Sequence, residues 1–568
     1  MKQVLILILI VCQTITMSAQ KKNSKQVDKA GKAIFKIEAT TKDGMIKTGN
    51  GFFISDKGEA ISEYSLFKDA QKAIITTSTG EKLQVTQVLG ADNMYGIIRF
   101  KVNVSKKTDF LTVAKVSPTI NTTVYIPSSE EEKSITQGTI SEVTKIKGDY
   151  DYFKADMPLP KSKESYPLLN EAGEVFALTQ ADAHGKGSTY GISVAYIQSL
   201  KIEATDMFNR TYSDLGIRKA WASSAEDAQI ALLLYSSQQD APTYLETLND
   251  FIATFPNNVD GYYSRASHYA YSRKELASDE NGQLQMLNMA WNDLESAAKF
   301  TKDKGDVFYN KAKLIFGIAA NDTTLIHRNW GIEAATENIQ KAISEEDSPA
   351  YRQLEGDIAF YMGDFEKAYN SYSIINNGPE SSGVSYYSAA KSKLQMDGTN
   401  LMEIIPLLDS AVAKSPVSEA VEYILECIDL KMQLGLFEEA VKDYDTYYYM
   451  ARGNVGDGFY YYREQAKFRA NDFEGALNDI NMAISMDEKN AIYHAEKASI
   501  YLRLRDLPKA QESAEKAIEV QPDFASAYRI LGISLVRQEK KQEACTSFNK
   551  AKELGDPVVD KLIKDNCN

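Results

Sequence analysis

The sequence predicts a multidomain chain in which an all-β sandwich or barrel is followed by an all-α solenoid of helical hairpins. Three observations carry that expectation. From Ala33 to about Ala204, apolar and polar residues alternate in short runs such as AIFKIEAT, KAIITTST, KLQVTQVLG, YGIIRFKV and TTVYIPS, which is the period-two signature of strands. After Thr205 the apolar residues recur three and four apart, the helical period. Toward the C-terminus the chain repeats itself at a shift of 34 residues, which marks a stacked array. Its 568 residues are several times the usual domain length and call for more than one domain.

The chain opens with MKQVLILILIVCQTITMSAQ, in which Lys2 precedes an apolar run from Val4 to about Cys12 and small residues Ser18 and Ala19 follow. This is the layout of a secretory signal peptide over residues 1–20, and the run is too short for a stable membrane anchor. Cys12 follows Val11 rather than a small residue, which argues against a lipoprotein. No later stretch approaches the roughly 18 apolar residues of a membrane helix. The expectation is therefore an exported, soluble protein, periplasmic or alternatively secreted. Cys427, Cys545 and Cys567 then form an odd set that allows at most one internal bridge.

Net charge is −14, divided as +3 over residues 21–205 and −18 over 206–568. A strongly acidic C-terminal region repels phosphate backbones, so nucleic acid is not expected as a partner.

Within the β region four segments stand in a telling order: GNGFFISDKGEAISEYSLF from Gly49, GADNMYGIIRFKV from Gly90, KSKESYPLLNEAGEVFAL from Lys161, and GSTYGISVAYIQSL from Gly187. Together they resemble the landmarks of trypsin-like serine proteases of the HtrA type. The resemblance implies a double β-barrel over residues 30–205. Gly51, Phe52 and Gly58 match the segment before the catalytic histidine, Asp92 and Lys101 the aspartate segment, and Pro167, Leu168, Asn170, Gly173, Glu174 and Val175 the frame around the nucleophile. Gly191, Ile192 and Ala195 match the strand that lines the family's substrate pocket.

At the positions where the family places histidine, aspartate and serine, this chain has Ser65, Gly96 and Glu164. Ser165 and Tyr166 stand where two glycines shape the oxyanion hole. Acyl transfer of this kind needs a hydroxyl nucleophile, an imidazole base, an orienting carboxylate and backbone donors. The resemblance therefore implies no catalytic residue at the triad positions, and the sequence leans against an enzyme. His184, the domain's one histidine, lies in the loop ADAHGKGS, far along the chain from all three positions. Glu164 as a base or Ser65 as a nucleophile remains the rescue to weigh. The simpler expectation is a surface turn released from catalytic constraint.

In the helical region, AIYHAEKASIYLRLRDLPKAQESAEKAIEVQPD and ASAYRILGISLVRQEKKQEACTSFNKAKELGDP align so that Ala498 matches Gly532, Ala510 matches Ala544 and Ala517 matches Ala551. The unit from Asp457 keeps the spacing through Ala476 and Ala483, and earlier units carry Gly356, Gly363, Ala368, Gly435 and Ala440. This resembles the tetratricopeptide repeat, whose small residues let paired helices approach closely. We expect about nine hairpins over 215–566, clearest from 349 onward, with DPVVDKLIKDNCN as a C-terminal capping helix. Stacked hairpins leave a concave face, usually a groove for a peptide or protein ligand.

A bridge between Cys545 and Cys567 could fasten the last hairpin, the alternative being two free thiols. Arg469, Arg503 and Arg537 recur 34 apart near the ends of successive first helices. They are candidates for binding an acidic partner segment, because arginine forks bind carboxylates; the stronger competing explanation is a helix-end role favoured by the macrodipole. The lysine and asparagine pairing with which chaperone-binding repeats clamp a C-terminal carboxylate is not evident. Most of the clustered tyrosines of DYDTYYYM and FYYYREQ are expected to pack between hairpins. His268, His327 and His494 are scattered, and no CxxC, HExxH or Gly-rich phosphate loop occurs, so no metal or cofactor is expected.

Together these features predict an exported, non-catalytic binding or scaffold protein: a pseudoprotease domain joined to an interaction solenoid, associated with an envelope complex in protein assembly or quality control. An active hydrolase with a relocated site and a structural subunit of a permanent complex are the alternatives.

Overall fold

The computed structural model describes residues 26–128, 134–181, 187–206, 209–322 and 329–567. The signal-peptide expectation, His184 and His327 lie outside them. The chain forms two compact units, one through Phe300 and one from Thr301.

The first unit begins with a helical turn, α1 (26–30), and twelve strands. Six of them, β1 (Ile34–Thr41), β2 (Ile46–Phe53), β3 (Glu59–Glu63), β4 (Ala70–Thr77), β5 (Lys82–Asp92) and β6 (Ile97–Val102), close a barrel in the order β1-β2-β3-β6-β5-β4. The other six are β7 (Thr123–Ile126), β8 (Thr136–Ile146), β9 (Tyr150–Asp156), β10 (Pro167–Leu169), β11 (Val175–Gln180) and β12 (Thr189–Ser193). They close a second barrel in the same order six positions on, β7-β8-β9-β12-β11-β10. Two closed antiparallel barrels with one repeated topology are the trypsin-like architecture, and closure leaves no free strand edge.

Period-two alternation explains the first barrel directly. On β1, Phe35, Ile37 and Ala39 point inward while Lys36 and Glu38 face solvent. Phe35 meets Phe53 with ring centres 4.7 Å apart, and Phe67 meets Phe100 at 4.8 Å. The β2–β3 turn needs a glycine twice over. Gly58 has φ +84°, and a Cβ there would lie 2.5 Å from the carbonyl of Val102.

Short helices follow strands: α2 (Tyr64–Phe67) after β3, α3 (Val194–Ser199) after β12, and then α4 (Arg210–Ser213). Tyr64 donates its hydroxyl to the Thr211 carbonyl at 2.8 Å, and the next segment returns along β5, where Val88 N–H donates to Arg218 and Ala220 N–H to Val88. Two hairpins complete this unit. One is α5 (Ala225–Ser236) with α6 (Ala241–Thr254); the other is α7 (Val259–Tyr271) with α9 (Glu280–Ala297), interrupted by the short α8 (Arg273–Leu276). Ser224, Asp240, Asn258 and Asp279 cap these helices by accepting first-turn N–H groups, each cap adding about 1 kcal/mol.

The second unit contains seven hairpins among the described residues: α10 (Lys304–Asn321) with α11 (Ile332–Glu345), α12 (Pro349–Tyr361) with α13 (Phe365–Asn376), α14 (Gly383–Leu394) with α15 (Ile405–Ala413), α16 (Val417–Leu434) with α17 (Phe437–Met450), α18 (Asp457–Arg469) with α19 (Phe473–Met486), α20 (Ala491–Leu504) with α21 (Leu507–Val520), and α22 (Ala525–Arg537) with α23 (Lys541–Glu553). A last helix, α24 (Val559–Asn566), follows. No described helix is long and apolar enough to cross a membrane.

The small residues have a geometric cause. A Cβ on Gly356 would meet the Tyr372 ring at 2.4 Å, and one on Gly532 the Phe548 ring at 2.4 Å. In α18 the equivalent position is Glu464, and the second helix carries Ile480 where the other two hairpins carry a ring.

Candidate functional site in the protease-like barrels and the repeats

Of the three positions that the resemblance assigns to a triad, Ser65 and Gly96 meet at the start of α2, and Glu164 lies against Asn50 of β2. Ser65 lies in α2, exposed, and its carbonyl accepts Lys47 Nζ at 3.2 Å. Gly96 has φ +66° and accepts the N–H of Tyr64 at 3.0 Å, so it abuts the start of α2. Glu164 ends a 3₁₀ turn, Lys161–Lys163, and its carbonyl accepts Asn50 Nδ2 of β2 at 3.0 Å.

The loop's amide groups decide what these positions can do. Lys163 N–H donates to Pro160, Glu164 N–H to Lys161 at 3.4 Å, and Ser165 N–H to Thr179 at 3.3 Å. Tyr166 N–H donates to Thr179 Oγ1 at 2.9 Å, and that hydroxyl in turn donates to the Lys163 carbonyl at 3.1 Å. An oxyanion hole needs N–H groups free to meet the charge as it develops, whereas these four are already engaged, those of Lys163 and Glu164 within the turn and those of Ser165 and Tyr166 by Thr179. Ser165 holds φ +63°, a left-handed conformation unusual for a residue with a side chain.

The surface turn expected from sequence is not what forms. Lys163 is fully buried and Ser165 nearly so. Lys163 Nζ reaches the Ser134 carbonyl at 2.8 Å and Thr136 Oγ1 at 3.2 Å. A buried ammonium must find such acceptors to offset its lost hydration, and here they come from the start of β8. Nothing in the local sequence signals this, because a lysine between serine and glutamate reads as surface.

Asp92, which the sequence resemblance matches to an aspartate landmark, is engaged in holding its own turn and α3. Its Oδ1 accepts the N–H groups of Met94 and Tyr95, and its Oδ2 accepts the Tyr196 hydroxyl at 2.5 Å. Burial and this carboxylate push the Tyr196 phenol well above its ordinary value. Gln180 Nε2 donates to the Tyr95 carbonyl at 2.6 Å, fastening the turn that leads to Gly96. Beside the loop runs a cleft of about 450 Å³, lined in part by Phe35, Asn50, Ser128, Ser162 and Tyr166.

Among the repeats, the three arginines each lie back on the preceding hairpin. The Arg469 guanidinium sits 5.6 Å from the centre of the Phe437 ring and that of Arg503 5.7 Å from the Phe468 ring. Arg537 Nη1 donates to the Leu502 carbonyl at 2.9 Å. All three are exposed. Cys545 on α23 and Cys567 just after α24 are joined in a disulfide, with Cα atoms 5.6 Å apart. Asp409, Cys427 and Asp443 bring their polar atoms within 4.8 Å of one another. Lys431 fills the centre, 2.9 Å from Asp409 and 2.7 Å from Asp443, so an ammonium already provides the cation. The buried Cys427 thiol is pushed well up, chiefly by desolvation. His268 and His494 each sit against a backbone carbonyl, at 2.8 and 2.9 Å.

Residues 495–557 match the family described as Tetratricopeptide repeat. The match falls on the last two hairpins, α20 to α23. The chain is 32% identical over 95 residues to small glutamine-rich tetratricopeptide repeat-containing protein 2 of Saccharomyces cerevisiae, covering 16% of this chain and 28% of that protein. It is 36% identical over 89 residues to small glutamine-rich tetratricopeptide repeat-containing protein of Dictyostelium discoideum, covering 16% and 27%. The chain thus spans little more than a quarter of each of these relatives. Among solved structures, a serine endoprotease from Yersinia pestis aligns at 19% identity and TM-score 0.27, over 34% of this chain and 67% of that one. The HtrA-type protease AlgW with tripeptide aligns at 15% and 0.28, over 33% and 64%.

Proposed function

We propose that this chain is an exported, non-catalytic binding or scaffold protein of the cell envelope, acting in protein assembly or quality control. Its barrel domain has protease architecture without acyl-transfer chemistry, and its repeats hold a protein or peptide partner. The observation that carries the reading is the 161–166 loop. Its N–H groups from Lys163 to Tyr166 are all engaged by acceptors of the turn or of Thr179, and Glu164 stands where the resemblance assigns the nucleophile. Hydroxyl, imidazole and outward donors are each worth orders of magnitude in rate, and their combined replacement supports binding over turnover. The tetratricopeptide repeats support a protein partner, and the layout of the first 20 residues supports export, with the periplasm as the destination.

Incubating the purified mature protein with denatured casein and with fluorogenic peptides, alongside cell fractionation, tests the reading. The protein should release no product above buffer and should partition with the periplasmic contents. Turnover that Ser65→Ala or Glu164→Gln removes would establish a relocated hydrolytic centre instead.

A further inference from the structure

In the second unit, α10, α12, α13 and α14 border an open cavity of about 800 Å³ with largely aromatic walls. Phe316, Phe360, Tyr361 and Tyr387 supply rings, and the charged residues lining it are Asp357 and Lys391. These two charges are held differently. Lys391 Nζ lies 3.3 and 3.2 Å from the two carboxylate oxygens of Glu426, so its charge is answered within the protein. Asp357 has only neutral partners: its Oδ1 accepts the Tyr372 hydroxyl at 2.8 Å and Gln353 Nε2 at 3.0 Å. No lysine or arginine among the described residues pairs with it, and desolvation pushes its carboxyl up.

A carboxylate without a counter-cation, set in an aromatic wall, is complementary to a cation carried on an apolar segment. Ring faces attract ammonium and guanidinium groups, and the same rings bury an apolar neighbour. We propose that this cavity docks a protein segment that presents a lysine or arginine beside an apolar or aromatic side chain. The cation completes Asp357, and its neighbour packs against Phe316, Phe360 and Tyr361. An acidic segment would meet the unanswered carboxylate in a region that carries −18 over residues 206–568, a like-charge contact that selects against it. The inference names the partner chemistry of the binding function proposed above and rests on it.

Calorimetric titration of the full mature chain with three probes tests the site: acetyl-Gly-Trp-Lys-Leu-Gly-amide and its counterparts with glutamine or glutamate in place of lysine. The lysine peptide should bind about tenfold more tightly than the glutamine peptide, with the glutamate peptide weakest. Asp357→Asn should bring the lysine peptide down to the glutamine peptide's affinity while leaving the latter unchanged, which also certifies the fold. Tyr361→Ala, at a ring that is 45% exposed, should weaken both. Equal affinity for lysine and glutamate, a lysine preference that survives Asp357→Asn, or no binding by any probe would overturn the site. A preference for the glutamate peptide would remove this site and leave protein binding by the repeats standing. That broader function fails if the chain shows neither peptide nor partner association.

Discussion

The side-chain amide of Asn50 donates to the main-chain carbonyl of Glu164 at 3.0 Å, so a residue of one barrel pins the loop of the other. The same amide reaches the Ser162 carbonyl at 3.2 Å, and the Asn50 carbonyl accepts the Ser62 hydroxyl. Asn50→Ala removes both loop contacts and leaves two carbonyls short of a donor. It should destabilise the barrel unit by ~1–3 kcal/mol and speed amide exchange at Ser165 and Tyr166, as read by hydrogen–deuterium exchange. Unchanged exchange at those two amides would show that the loop holds its shape without Asn50.

Glu464 is fully buried on α18, and its Oε1 has no hydrogen-bond partner. Burial, and then the neighbouring Glu496, push its carboxyl up to about 8, while Gln465 opposes the shift. The folded state therefore holds this proton more tightly than the unfolded chain, whose carboxyl titrates near its ordinary 4.5. The stability linked to it is complete below pH 4.5 and is lost as pH rises through about 8. Half-buried Glu496, also shifted upward, adds in the same direction. Glu464→Gln should flatten the decline in melting temperature across that window and stabilise the repeats by ~1–3 kcal/mol at pH 9.

Three late hairpin turns place a residue other than glycine in the left-handed region. Gly363 and Gly435 take left-handed φ of 81° and 78°, and at the turns of later repeats Asn471, Arg505 and Glu539 hold 64°, 63° and 64°. A left-handed conformation costs a residue with a Cβ about 1–2 kcal/mol. Arg505→Gly and Glu539→Gly should each raise stability by about 1 kcal/mol, measured by denaturant unfolding of the full chain, because the gain in the turn exceeds the added entropy of the unfolded glycine.

How much could be read in advance varies with the range of the interaction. The alternation of Phe35, Ile37 and Ala39 against Lys36 and Glu38 is a local pattern, and so is the 34-residue return of Ala498 at Gly532; both are legible because periodicity directly reports which face is buried. The burial of Lys163 is not, since its acceptors Ser134 and Thr136 are brought to it only by closure of the second barrel. Glu464 likewise reads as a helix surface residue until the repeat frame places it opposite its partner helix. The spacing of the three arginines was visible, but their resting places, the Phe437 and Phe468 rings and the Leu502 carbonyl, belong to the preceding hairpin.

Those resting places yield a prediction of their own. Replacing Arg469 and Arg503 by glutamine removes two exposed cation–ring contacts, and replacing Arg537 removes its bond to Leu502. Each change should lower the repeats' stability by about 0.5 kcal/mol, while partner affinity stays constant. A loss of affinity without a loss of stability would make the arginines a ligand site.

The proposed absence of acyl transfer at Ser65, Gly96 and Glu164 is tested most directly with a fluorophosphonate probe on the purified mature protein and on Glu164→Ser. Neither should be labelled. A hydroxyl at position 164 leaves the amides of Lys163, Ser165 and Tyr166 bonded to Pro160 and Thr179 and supplies no base. Labelling of the wild type that Ser65→Ala abolishes, or rapid labelling of Glu164→Ser, would contradict it.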